Sequence, residues 1–204
     1  MGKQQKLSNL TPEQYLIFEA AEKQRHEYVD GQVFAMTGGS AAHNVIALNI
    51  AMSLRAKLQG KGCTVYISDM KVRIEDLNCF YYPDLMIDCG AFDKKSVYTK
   101  TPTVIFEVLS RSTASTDRRE KLVAYRHVDS VTQYVIVHQT RKRLEIFRKV
   151  DDEWTVQVIG SGESLELDIC DDTVTITMNE IYADIEFDEG PDLQVREDVE
   201  IYSW

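Results

Sequence analysis

The chain has 204 residues and is 44% hydrophobic, the size of one α/β or α+β domain able to bury its own core. Its net charge of −10 is unevenly spread. Residues 1–150 hold 22 Lys and Arg against 16 Asp and Glu, whereas residues 151–204 hold one against 17. Screening confines exposed charges to about 10 Å, so the bulk figure does not exclude a phosphate-bearing partner for the first 150 residues. The N-terminus lacks the apolar core of a signal peptide and no window approaches about 18 apolar residues, which argues against a membrane partner. Cys63, Cys89, Cys79 and Cys170 are scattered, with no C-x-x-C pair and no His at zinc-ligand spacing. That pattern predicts neither a disulfide framework nor a zinc site, and hence a reducing, cytoplasmic setting.

Thr11-Pro12-Glu13-Gln14 combines an N-cap, a proline at the first helical position and a capping-box Gln, so a helix is expected from there to about Arg25. "HEYVDGQVFAMTGGS" reads as a β-hairpin turning at Asp30-Gly31. Ser40 then caps "AAHNVIALNIAMSLRAKL", a helix with apolar residues around most of its circumference, expected to be packed on more than one side. "CTVYI", "MKVRI", "LMID" and "TVIFEVL" read as short strands, "STDRREKLVAYRHV" as a helix, and "TQYVIVH", "RLEIFRKV" and "EWTVQVIG" as strands again. The order predicts an α/β fold of α+β type, a mixed sheet flanked by helices, over residues 8–185. Residues 186–204 read as an acidic C-terminal tail.

Two of these strand regions contain an acid that needs explaining. Glu107 in "TVIFEVLS" has apolar residues on both sides and two positions away, so an ionised carboxylate there is costly without a cation, a metal or strong donors against it. A Glu at a strand end that reaches solvent or pairs with an Arg is the plainer alternative. Asp84 in "YYPDLMID" could mark only a turn after Pro83. Together, two acids from consecutive strands are enough to hold Mg²⁺, which takes one or two carboxylates and keeps waters and phosphate oxygens. Asp117, Lys121 and Tyr125 lie four apart and so share one helix face. Asp117 also suits an N-cap, and Lys121 an ordinary surface lysine.

The ordered set Asp84, Glu107-Val108-Leu109-Ser110, Asp117-x-x-x-Lys121-x-x-x-Tyr125 and "QYVIV" resembles the Uma-two family of restriction-endonuclease-like proteins, once catalogued as a domain of unknown function. That family belongs to the PD-(D/E)XK nuclease superfamily. "HEYVDGQVFAMTGGSAAHNVIALNIAMSL" is similar to the family's opening, with an acid before a Gly turn and a His at the start of a long helix. The resemblance implies a metal-dependent endonuclease, with Asp84, Glu107 and Lys121 as catalytic residues. Asp84, Glu107, the Val108 carbonyl and Glu27 would hold Mg²⁺ or Mn²⁺. His43, Asp117, Tyr125 and Arg111 would be substrate contacts or supports. The superfamily places a lysine two residues after the second acid; here that position is Leu109, and in this family Lys121 on the following helix takes its place. The implied partner is nucleic acid, DNA foremost, and superfamily analogy adds a homodimer. Lys94, Lys95, Lys100, Arg111, Arg118 and Arg119 are candidate backbone contacts. Two alternatives stand beside this reading: a catalytically inactive nuclease fold serving as a nucleic-acid or protein interaction module, and a hydrolase of small phosphodiesters.

Overall fold

The computed structural model describes residues 9–110 and 117–187, the side chains of residues 117 and 118 excepted. Arg111, the Asp117 and Arg118 side chains and most of the acidic tail therefore lie outside the described residues. The fold is a mixed α+β arrangement of two sheets and a hairpin flanked by helices.

Helix α1 (Pro12–Ala21) begins as its sequence dictates, with the Thr11 hydroxyl accepting from Gln14 N–H and the Gln14 side chain returning to the Thr11 N–H. It ends four residues earlier than the expected limit at Arg25. Glu22 is already extended, and buried Glu19 bends the chain back by accepting from the His26 backbone N–H at 3.0 Å. Strands β1 (His26–Val29) and β2 (Gln32–Ala35) form the hairpin, with Asp30 and Gly31 at φ 43° and 86°. Positive φ at both turn residues gives the hairpin the twist its strands need, and Gly and Asp tolerate it.

Helix α2 (Ala41–Lys57) is capped by the Ser40 hydroxyl, which accepts from His43 N–H. As expected it is packed on more than one side: Asn49 donates to the Ile181 and Ala183 carbonyls and Ser53 to Glu180, while its buried side chains meet the strand around Phe106. Ile46, Ile50 and Leu54 are fully buried at four-residue spacing, while Leu48 and Met52 stay exposed. Its packed faces meet the six-stranded sheet, the hairpin of residues 164–177 and the short helix that follows it. Each of the three buried side chains contributes roughly 1.5–3 kcal/mol.

Strands β3 (Thr64–Ile67), β4 (Lys71–Ile74), β5 (Cys79–Tyr81), β6 (Leu85–Asp88), β7 (Tyr98–Thr99) and β8 (Pro102–Leu109) follow. A π-helical turn, Asp117–Lys121, continues as α3 (Leu122–Tyr125). Next come β9 (Gln133–His138), β10 (Leu144–Val150), β11 (Glu153–Ile159), β12 (Ser164–Ile169), β13 (Asp172–Thr177) and α4 (Met178–Ile181). The six-stranded sheet has the order β11-β10-β9-β8-β6-β3, with β8 and β9 parallel at its centre. The five-stranded sheet has the order β2-β1-β5-β4-β7. Tyr82-Pro83-Asp84 is the short bridge between β5 in one sheet and β6 in the other.

The central strand β8 faces two cores. Val104, Phe106 and Val108 pack with Ile46, Ile50 and Leu54 of α2. Ile105 and Leu109 pack with Leu122 and Tyr125 of α3. Alternation along the strand therefore aims Glu107 at α3. Several acids of the C-terminal third pair with bases near the end of α2: Lys57 with Glu180, and Lys61 with Asp172 at 2.7 Å. The Lys57 ammonium is the main reason the Glu180 carboxyl is held down to about 2.

The cysteine reading needs correction. Cys63 and Cys89 form a disulfide, S–S 2.04 Å. Antiparallel register pairs Thr64 with Asp88, so the next pair outward is Cys63 and Cys89, with Cα atoms 4.0 Å apart. A 26-residue separation carries no trace of that proximity in the sequence; only the strand pairing creates it.

Candidate active site

The two acids meet as neighbours on adjacent strands. Leu85 pairs with Phe106 in the antiparallel β6–β8 ladder, which continued by one residue sets Asp84 against Glu107. Pro83 ends the β5 ladder and leaves Asp84 at the start of β6, where its Oδ2 accepts from the Val108 backbone N–H at 2.8 Å. Charge-assisted bonds of this kind contribute about 1.5–3 kcal/mol. The same Oδ2 lies 3.0 Å from His43 Nε2. His43 thus holds Asp84 in place, and the first turn of α2 reaches over the strand end to do it.

Glu107 is 2% exposed, so the cost of burying it is met by specific partners. Lys121 Nζ donates to Glu107 Oε1 at 3.1 Å and the Tyr125 hydroxyl donates to the same oxygen at 3.1 Å. Lys121 and Tyr125 share a helix face, as their spacing predicts. Lys121, itself 4% exposed, also lies 3.0 Å from Glu27 Oε1, bringing the first hairpin into the site. Glu27 in turn accepts from the Tyr82 backbone N–H at 3.3 Å. The surface-lysine alternative for Lys121 and the strand-end alternative for Glu107 are both set aside by this burial. Leu109, by contrast, is sealed in the apolar cluster of Tyr125 and Ile136, so the ammonium reaches Glu107 from α3 instead of from β8.

Asp84, Glu107, Lys121 and His43 border one cleft of about 410 Å³, which Lys23 and Arg25 also line. Of the cations considered above as backbone contacts, Lys100 is paired with Glu75 at 2.9 Å and borders a different depression, and Lys94 and Lys95 do not line the cleft. Lys23 and Arg25 occupy its rim instead. Neither stood out in the sequence, because an expected helix running to Arg25 placed them on an ordinary solvated face. Beneath the rim lies a buried network that composition gave no sign of. Tyr82 donates to Glu19 at 2.8 Å and Lys71 donates to Tyr82 at 3.1 Å. Burial draws the Lys71 pKa below its ordinary value, with Glu19 and Asp69 opposing, and burial raises that of Tyr82.

Gly39 makes the His43 contact possible. A Cβ there would lie 2.7 Å from His43 Nδ1 and 2.9 Å from its Cγ, closer than atoms can approach. Gly39→Ala is therefore expected to push the ring off Asp84. If the cleft is catalytic, activity should fall about 10-fold with little change in melting temperature. A variant as active as the wild type would show that the His43–Asp84 contact is dispensable.

A match to the family described as "Putative restriction endonuclease" spans residues 12–179. The chain belongs to the Uma2 family. Two uncharacterised proteins of Synechocystis sp. are similar to this Uma2 member. One, slr1290, is 35% identical over 160 residues, covering 78% of this chain and 84% of the relative. The other, sll1609, is 28% identical over 162 residues, covering 78% and 92%. The fold is that of a crystal structure of "a putative nuclease belonging to DUF820" from Anabaena variabilis, with a TM-score of 0.67 over 84% of this chain and 97% of that one, at 10% identity. Strands, helices and connectivity therefore follow a nuclease-type scaffold, and the Uma2 match covers Glu27, His43, Asp84, Glu107, Lys121 and Tyr125.

Oxygen donors on a shared cleft suit a hard cation. The fit in this Uma2 chain is one of donor type and charge: Glu107 and Glu27 are buried or nearly so, and both already hold a positive group, the Lys121 ammonium. Among the described residues, no three carboxylate or imidazole groups bring ligand atoms within 4.8 Å of one another, so the acids meet through Lys121 and not as a ready-made cage. No described helix is long and apolar enough to cross a membrane.

Proposed function

We propose that this protein is a metal-dependent endonuclease that hydrolyses phosphodiester bonds in DNA. The observation that carries the reading is the convergence of Asp84, Glu107 and Lys121, from two strands and a helix, on one cleft. Family membership and the nuclease-type fold support it.

Asp84, Glu107, the Val108 carbonyl and Glu27 are the groups that would hold Mg²⁺ or Mn²⁺. When bound, such an ion polarises the scissile phosphate and lowers the pKa of a coordinated water. The chain's own residues supply the rest. Lys121, positioned by Glu107 and Glu27, orients the attacking water and offsets negative charge growing on the pentavalent phosphorus. Tyr125 fixes the Glu107 carboxylate from the helix side. His43 and the Val108 N–H hold Asp84 from two directions. Lys23 and Arg25 at the rim meet the phosphates flanking the scissile bond. Cleavage leaves a phosphomonoester on one fragment and a hydroxyl on the other.

The direct test is to incubate the purified chain with plasmid and linear DNA. Cutting is expected with Mg²⁺ or Mn²⁺ and should stop with EDTA. A preparation that binds DNA but never cuts it with either ion would favour the interaction-module reading, and one that cuts only small phosphodiesters would move the substrate.

A further inference from the structure

A second cluster of metal-ligating groups lies away from the cleft, at the opposite end of β6 from Asp84. The Cys63–Cys89 disulfide closes that end of the β3–β6 ladder. Cys170, in the turn between β12 and β13, brings its Sγ to 3.8 Å from Cys63 Sγ, and all three sulfurs lie within 4.8 Å of one another. Among the described residues this is the one group of three or more His, Cys, Asp or Glu side chains whose ligand atoms sit so close.

Three features bear on the position of Cys170. Its backbone is left-handed, φ 54°, a conformation that costs a residue with a side chain roughly 1–2 kcal/mol and must be imposed by the surrounding hairpin. The turn is also pinned to the loop before β3 by the Lys61–Asp172 ion pair. Ile169, next to Cys170, and Cys63 belong to the same apolar cluster, so the turn is docked on both sides. A Zn–S bond of about 2.3 Å places tetrahedrally arranged sulfurs about 3.8 Å apart. The Cys63–Cys170 separation already has that value, and reduction frees Cys89, whose Sγ lies within 4.8 Å of both others, to be a third ligand. Thiolates select zinc over the hard cations that suit the carboxylate cleft. Exposure of Cys170 leaves the fourth position to water.

We propose that the reduced protein binds one zinc ion through the thiolates of Cys63, Cys89 and Cys170, tying the β12–β13 turn to the ends of β3 and β6. The disulfide is the metal-free form of the same site. A dithiol reductant supplies two electrons and two protons to the Cys63–Cys89 bond, yielding two thiols and becoming a disulfide itself. Zn²⁺ then displaces three thiol protons to solvent.

The test uses the full chain, reduced with a dithiol, freed of reductant without air, and titrated with Zn²⁺ or Co²⁺ against a chromophoric chelator. One equivalent is expected to bind, with thiolate-to-cobalt absorption. Thiolate binding, read by that absorption, should be absent in the disulfide form and about 100-fold weaker in Cys170→Ser, a change of roughly 2.8 kcal/mol. Cys170 is exposed in a turn, so that variant is expected to keep the wild-type circular dichroism. Cys79→Ser, which alters a different cluster, should show the same thiolate-to-cobalt absorption as the wild type. Absence of stoichiometric binding by the reduced protein, or undiminished binding by Cys170→Ser, overturns the proposal. A chain that only re-forms a disulfide, now between Cys63 and Cys170, does so as well. The outcome is independent of whether the cleft cuts DNA.

Discussion

Glu107→Gln is expected to remain folded and to cut DNA about 10³-fold more slowly than the wild type. The size is that of losing one preorganised electrostatic contact at a phosphoryl transition state, here the contact supplied by the cation that the Glu107 carboxylate would hold. Gln matches Glu in volume, and the Lys121 ammonium keeps Glu27 at 3.0 Å, so the fold should lose little. What disappears is a carboxylate from a position where only 2% of the residue reaches solvent, where water cannot replace it. Single-turnover cleavage with Mg²⁺, read beside a thermal melt, separates the two effects. An unchanged rate in a folded Glu107→Gln sample would remove Glu107 from the chemistry and with it the assignment of the cleft.

Lys121→Met acts on stability as strongly as on rate. The ammonium sits between Glu107 and Glu27, with side chains 3% and 15% exposed, and its removal leaves two buried or half-buried carboxylates facing each other. Breaking a buried pair by deleting one partner costs about 3–5 kcal/mol, because the remaining charge is uncompensated. Urea denaturation in EDTA should show a loss of that order. Added Mg²⁺ or Mn²⁺ should restore part of it in the variant, because a cation that binds only the folded state stabilises it by mass action. It should do so more than in the wild type, where Lys121 already neutralises the pair. A loss below about 1 kcal/mol, or a variant indifferent to divalent cations, would contradict the view that the acids form a cation site.

Much of the local structure is legible in the chain. Thr11 and Ser40 each cap their helix with a hydroxyl that accepts an N–H three residues on, and Asp30-Gly31 takes the left-handed turn its residue types favour. The short apolar runs around Leu85 and Ile105 are strands of the central sheet. The carboxylate puzzle was legible too: an acid amid apolar neighbours needs a partner, and Glu107 has Lys121 and Tyr125. Where expectation and structure part, the deciding contact is distant. α1 stops at Ala21 because Glu19 bonds His26. Lys23 and Arg25 reach the cleft because the helix stops early.

The sequence by itself determined the caps, the turn, the strand and helix periods and the identity of the acids that need compensation, since these depend on groups within a few residues of one another. The tertiary structure alone decided that Lys121 bridges Glu107 to Glu27, that His43 turns onto Asp84 across Gly39, and that Cys63 lies opposite Cys89 with Cys170 beside them. Those contacts join residues 14, 41, 26 and 107 positions apart. They exist because strand register and helix docking bring distant segments to one place, and neither register nor docking is encoded in any local stretch of chain.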